Sequence, residues 1–107
     1  MLGCHVVVLI TFPSKEEAEK VSKRLVEEGL AACVNVIERV KSLFIFEGKF
    51  EECEEALAVV KSRVDVLPRL VEAVKSMHSY EVPEVIAIPI IAGYEGYLKW
   101  LDESLKV

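Results

Sequence analysis

Cysteine is scarce in this chain and odd in number: Cys4, Cys33 and Cys53 are the three present, widely spaced in 107 residues. A chain of this length with 52% apolar residues can build its own core, so a disulfide framework is excluded and reduced thiols are expected. Basic clusters are missing as well. The formal charge is −5 with a pI near 5.1, and the lysines and arginines are scattered, which excludes a phosphate backbone as partner. No apolar run approaches the ~20 residues that span a bilayer; Val6 to Ile10 is far too short, and no membrane insertion is expected. Leu2-Gly3-Cys4 hints at a lipoprotein cleavage site, yet no charged segment and apolar stretch precede it as a secretory signal requires. A soluble, cytoplasmic protein is therefore expected. Also absent are Gly-x-Ser-x-Gly, a Gly-rich phosphate loop and His-Glu-x-x-His. Neither an enzymatic activity nor an organic cofactor is expected. With no repeat, linker or low-complexity segment, residues 1–107 read as a single domain.

What is present is patterned. The β-branched run "HVVVLITF" (5–12) predicts a buried strand, stopped by Pro13. Ser14 and Glu17 form a capping box for a helix whose apolar stripe is Ala18, Val21, Leu25 and Val26, and Gly29 ends it. Residues 31–46 and 50–62 predict two long strands joined at Glu47-Gly48-Lys49, where glycine supplies a positive φ. Asp65 is the expected N-cap of a second helix, with Pro68 in its first turn and Leu67, Leu70, Val71, Val74 and Met77 at helical spacing. "VPEVIAIPII" predicts a strand, and Pro89, which lacks a ladder donor, places it at the sheet margin. After Gly93 and Gly96, Tyr97, Leu98, Leu101 and Leu105 mark a terminal helix. The order predicts an α+β fold: a ferredoxin-like βαββαβ sandwich with an additional C-terminal helix and a long hairpin between the second and third strands.

A sheet with helices on one side and water on the other should alternate apolar and polar residues. "VVVLI", "LAACVNVI", "ALAVV" and "VIAIPII" are instead apolar at nearly every position. Three short helices cover one face, so the other predicts a covering copy of the same chain in a closed symmetric oligomer. The alternative is that the C-terminal helix folds over it.

Candidate functional residues concentrate in "HSYEVPEV" (78–85). His78 ends the second helix, where an imidazole also serves simply to meet exposed carbonyls. Tyr80, Glu81 and Glu84 follow on a segment stiffened by Pro83; a corner plug and solvated carboxylates are the plainer reading. Thiolate and imidazole are ligands for copper and zinc, but no chelating spacing occurs, and Cys4-His5 on a strand would face opposite ways. Cys33, in an apolar strand, reads first as a small hydrophobe. Glu51, Glu52, Glu54 and Glu55 around Cys53 read as a solvated hairpin edge that discourages pairing with strangers. Lys61 ends an apolar strand, where it can snorkel, pair with Glu81 or contact a ligand anion.

The segments "GLAACVNVI" (29–37), "FEGKFEECEEALAVVKS" (46–62), "HSYEVPEVIAIPI" (78–90) and "YLKWL" (97–101) together resemble the CutA family of divalent-cation tolerance proteins along almost the whole chain. The resemblance implies a compact homotrimer with its sheets turned inward, similar to PII-type signalling trimers, and weak binding of a divalent metal, copper above all, in metal tolerance. Family polar positions fall on Cys33, Asn35, Gly48, Lys49, Lys61, His78, Tyr80, Glu81, Pro83, Glu84, Tyr97 and Trp100, and are implied to gather near clefts between subunits. On this reading His78 and Cys33 are metal ligands, while Lys61, Tyr80, Glu81, Glu84 and Asn35 line the binding cleft. A PII-like sensor of a small anionic metabolite, with Lys61 as the anion contact, is the alternative. Ser79 stands where the family often has proline, which should loosen the turn, and Phe46 with Glu47 replaces a frequent tryptophan, removing an indole donor.

Overall fold

The computed structural model describes residues 4–106; Leu2 and Gly3 of the possible cleavage site lie outside them. The elements are β1 (His5–Phe12), α1 (Lys15–Glu27), β2 (Cys33–Phe46), β3 (Lys49–Arg63), α2 (Leu67–Met77), β4 (Val85–Pro89) and α3 (Glu95–Ser104). The strands form one antiparallel sheet in the order β2-β3-β1-β4. This is the ferredoxin-like arrangement with β4 at the margin, where Pro89 closes the strand.

Local chemistry sets the boundaries. The Glu17 amide donates to Ser14 Oγ at 3.1 Å, capping α1. The Glu17 carboxylate does not return to Ser14 as a full capping box would; Ser79 offers it two better donors, its N–H and its hydroxyl, both at 3.0 Å. Gly29 adopts φ +72°, and a Cβ there would lie 2.7 Å from the Lys106 backbone nitrogen. Close approach and left-handed geometry thus both demand glycine. Phe46 pairs with Lys49, leaving Glu47 (φ 51°) and Gly48 (φ 77°) as a two-residue turn of the left-handed type that suits hairpin twist. Asp65 does not cap α2. Val66 occupies the N-cap without a side-chain bond, because Asp65 is taken by Arg63 through a forked pair at 2.7 and 2.9 Å.

Alternation along β1 and β3 decides the layers. Val6, Val8, Ile10 and Phe12, with Ala56, Ala58 and Val60, are buried beneath Ala18, Val21 and Leu25 of α1 and Leu70 and Val74 of α2. Leu101 and Leu105 bring the end of the chain into the same core. The opposite face carries Val7, Leu9, Leu57 and Val59 at its centre, flanked by Ile37, Ile86 and Ile88. Among the described residues no helix covers it: Ile86, Ile88 and Ile37 remain 51%, 48% and 47% exposed. The C-terminal helix therefore does not fold over the centre of this face.

The ladder between β2 and β3 is irregular at one step. Ile37 pairs with Leu57 but Val40 pairs with Glu55, so β2 holds one residue more than β3 across this step. Arg39 absorbs the bulge with φ 63°. Side chains of even number beyond the bulge, Ser42 and Phe44, thereby join the open face that Cys33, Asn35 and Ile37 occupy before it.

Candidate functional site

Two polar clusters interrupt the open face, one at each end. The larger is a cleft of about 710 Å³ where the outer hairpin meets the segment that joins α2 to β4. Glu51, Cys53 and Glu55 alternate along β3 and form its floor with Thr11 of β1; Ser42 and Phe44 of β2 face them, and Tyr80, Val82 and Glu84 close the far wall. Tyr80 donates its phenolic proton to Glu55 Oε2 at 2.7 Å. Burial, this bond and the Glu55 charge together push the Tyr80 phenol far above its ordinary range, so it remains a donor at neutral pH. Burial and the neighbouring Glu55 and Glu51 charges push the Cys53 thiol up. It sits in the cleft as a neutral thiol. Glu81, expected among the binding residues, is exposed and does not line the cleft.

His78 stands behind Tyr80, on the helix side. Its ring stacks on Phe12 at 4.6 Å between centroids and 14° between planes. Nε2 lies 2.7 Å from the Thr11 carbonyl oxygen, and Nδ1 lies 3.0 Å from the Tyr80 amide. A carbonyl only accepts and an amide N–H only donates, so the ring is assigned as the Nε2–H tautomer, with the Nδ1 lone pair receiving the amide. Both nitrogens are committed. Glu17 Oε2, 3.5 Å from Nδ1, joins the corner through Ser79. Ser79 thus ties the turn to α1 rather than loosening it, since a proline there would lack the N–H that bonds Glu17. Nothing in the spacing of the sequence pairs residues 17 and 79; only the packing of α1 against the α2–β4 corner does so.

The second cluster lies at the other end. Cys33 pairs across the ladder with Lys61, and Asn35 with Val59. Lys61 Nζ donates to Asn35 Oδ1 and lies 3.8 Å from Cys33 Sγ; it does not reach Glu81. Burial, with the Cys33 sulfur beside it, pushes the Tyr97 phenol up, and the Tyr97 ring leans on Trp100 at 5.4 Å. From Lys61 to Glu55 is six residues of β3, about 20 Å at ~3.4 Å each. One protomer therefore brings Asn35 to Lys61 and Tyr80 to Glu84, but not the two pairs to each other. His78 and Cys33 are separated likewise: Cys33 is in register with Lys61 and hence Val7, whereas His78 is bonded at Thr11. The strand rise between them is about 13 Å, and they flank opposite faces of the sheet. The expected metal pair is not formed within a protomer. Among the described residues, no group of three or more His, Cys, Asp or Glu side chains converges to hold an ion.

A fully antiparallel βαββαβ sheet with one face bare, an acidic cleft at one end of that face and a lysine cluster at the other, defines a small α+β protein of the ferredoxin-like class. Similarity to known proteins gives this class a family. Residues 6–104 match the family model described as CutA1 divalent ion tolerance protein. The divalent-cation tolerance protein CutA of Thermus thermophilus is 47% identical over 98 residues, covering 92% of this chain and 95% of its own. A chloroplastic protein CutA of Arabidopsis thaliana is 42% identical over 94% of this chain, which spans 56% of that relative. The solved structure of the periplasmic divalent cation tolerance protein CutA from Archaeoglobus fulgidus superposes with a TM-score of 0.92 at 45% identity, covering 95% of this chain and 99% of that one. The chain belongs to the CutA1 family of divalent ion tolerance proteins.

Proposed function

We propose that this protein is a homotrimeric binding protein that takes up a divalent metal weakly, copper foremost, in the acidic cleft, as part of a metal response. The observation that carries this reading is the alignment of Glu51, Glu55 and Glu84 around one cleft that opens on the bare sheet face. Carboxylates suit divalent ions, and copper binds most strongly among the divalent first-row metals at a given N/O/S site. Successive floor residues of β3 are spaced by about 7 Å, too far for close chelation by one strand. The fit is that of a loosely held ion, tightened only if a neighbouring copy adds a donor. His78 enters as a positioning residue that fixes Tyr80, and Cys33 as a group of the opposite cluster. With the His78 nitrogens committed and the Tyr80 phenol held protonated, the cleft favours binding over catalysis.

The trimer rests on the bare apolar face, whose exposed isoleucines and half-buried valines are what a covering copy would bury. Such an assembly would make folding and association one step. A cytoplasmic site is supported by the free thiols. Among the described residues no helix is long and apolar enough to cross a membrane. The PII-like alternative, an anionic metabolite touching both Lys61 and Tyr80, is disfavoured by the carboxylates beside Tyr80. Titration calorimetry with Cu(II) tests the metal reading: Glu55→Gln with Glu84→Gln should weaken binding at least tenfold while light scattering still gives three chains per particle. Uptake unchanged by the double substitution rules the cleft out as the metal site.

A further inference from the structure

We infer that Glu17, on the helix side of the sheet, is a positioning residue for the cleft on the other side: through Ser79 it holds Tyr80 on Glu55 and so governs access to that carboxylate. This deepens the proposed reading by naming what regulates its site, and its test needs no metal, so the two fail separately. Glu17 is the third residue of α1, where a carboxylate ordinarily returns to the N-cap amide. Here one oxygen, Oε2, accepts both the Ser79 N–H and the Ser79 hydroxyl at 3.0 Å. The Glu17 side chain is only 20% exposed, and among the described residues no lysine or arginine pairs with it; its ionisable neighbour is the His78 ring at 3.5 Å. A largely buried carboxylate without a cation has to keep the donors it has. Ser79 is therefore held, although it is an exposed residue.

Tyr80 follows directly. Its amide bonds His78 Nδ1, its ring leans on the His78 ring at 4.8 Å between centroids, and its hydroxyl crosses to Glu55. Beyond it the chain is slack: among the described residues, 81–84 make no hydrogen bond before β4 opens at Val85, and Glu81, Val82 and Glu84 are exposed. The turn is thus fixed from its upstream end alone, by His78 and by Glu17. Without the Ser79 tie the turn is free to swing toward solvent, and the length of the tyrosine side chain carries its hydroxyl off Glu55. The Glu55 oxygen is then open to a ligand that the phenol otherwise excludes. An anchor in the first turn of α1 in this way reaches past the end of β1 to the floor of the cleft.

The test reads the Tyr80 phenol by fluorine NMR in the full chain. Tyr94→Phe and Tyr97→Phe leave Tyr80 as the one tyrosine, and 3-fluorotyrosine incorporated there ionises at lower pH than tyrosine; circular dichroism verifies the fold at each point. Glu17→Gln and Glu17→Ala are compared on this background. Glutamine still accepts from both Ser79 donors but removes the Glu17 charge, which on its own pushes the Tyr80 phenol up; alanine removes the tie as well. The Tyr80 midpoint should fall by about one pH unit or more from the glutamine to the alanine variant. Equal midpoints overturn the inference, since Glu17 then acts on Tyr80 through charge alone. Should Glu17→Ala fail to fold, Ser79→Ala decides in its place, because it keeps the charge and loses one of the two bonds: a midpoint below that of the parent supports the tie, and an unchanged one overturns it.

Discussion

Replacing His78 by alanine separates a metal-binding imidazole from a structural one. The side chain is fully buried, so its loss leaves the Thr11 carbonyl and the Tyr80 amide without partners. Each orphaned group costs about 1 kcal/mol or somewhat more, the lost stacking on Phe12 about 1 kcal/mol, and the residual cavity roughly another 1 kcal/mol. His78→Ala should therefore destabilise the fold by about 4 kcal/mol or somewhat more, at the upper end of single substitutions. Two further variants divide the effect. Asparagine places an acceptor where Nδ1 stood and keeps the Tyr80 bond, whereas glutamine places a donor near the Nε2 position and keeps the Thr11 bond. Each should recover about 1 kcal/mol of the alanine loss. Urea unfolding at fixed protein concentration gives the energies, and Cu(II) calorimetry on the same samples gives the uptake. An alanine variant with wild-type stability and no copper binding would refute the assignment of both nitrogens to the fold.

The His5–Asp102–Arg63 contacts at 3.0 and 3.1 Å anchor α3. Burial pushes the Asp102 carboxyl up, but the hydrogen bonds from Arg63 and His5 outweigh it and hold the group below its ordinary value. A depressed carboxyl stabilises the fold above its unfolded pKa, near ~4, and that contribution is lost as pH falls through the lower folded value. Trp100 fluorescence should thus change on acidification below about pH 4, and Asp102→Asn should flatten this response; identical acid titrations would contradict the anchor. For Tyr80 the sign is reversed: its raised pKa adds stability that is present below ~10 and is lost as the pH rises through the higher folded value. In an ultraviolet phenolate titration, Tyr80→Phe should diminish the late, high-pH phase, to which the raised Tyr97 phenol also contributes. Gly29→Ala meets both a positive φ and the Lys106 backbone and should cost about 2 kcal/mol or more, against about 1 kcal/mol for Gly48→Ala, whose Cβ would meet nothing within 4 Å. Equal melting temperatures for these two glycine variants would contradict the close packing of the chain end on Gly29.

Most of the fold is legible in the sequence because its signals are local. Strand β1, the Ser14 cap, the Gly29 stop and the Gly48 turn each arise from a few adjacent residues, and the bare apolar face arises from strands that fail to alternate. Asp65 departs from its expected capping role because its competitor, Arg63, acts two residues back through a side chain, which cap preferences do not weigh. The candidate site is legible in part. "HSYEVPEV" does meet the acidic hairpin, but the partners of its residues, Thr11, Glu17 and Glu55, come from three other elements and carry no spacing signal. Cys53 and Glu55 read as solvated edge residues in the sequence. Only the Tyr80 bond and the cleft show that this stretch of β3 is an inner wall.

The extra residue at Arg39 sets a reading frame for everything beyond it. Deleting one position there would turn Leu43 and Ile45 toward Cys53 and send Ser42 and Phe44 outward, exchanging the cleft's facing wall for an aliphatic one while the inner half of the strand stayed in place. Insertions and deletions in this arm should therefore be tolerated only in compensating pairs, and the distance from Asn35 to Ser42, counted in residues, should be fixed more strictly than the identities of the side chains between them.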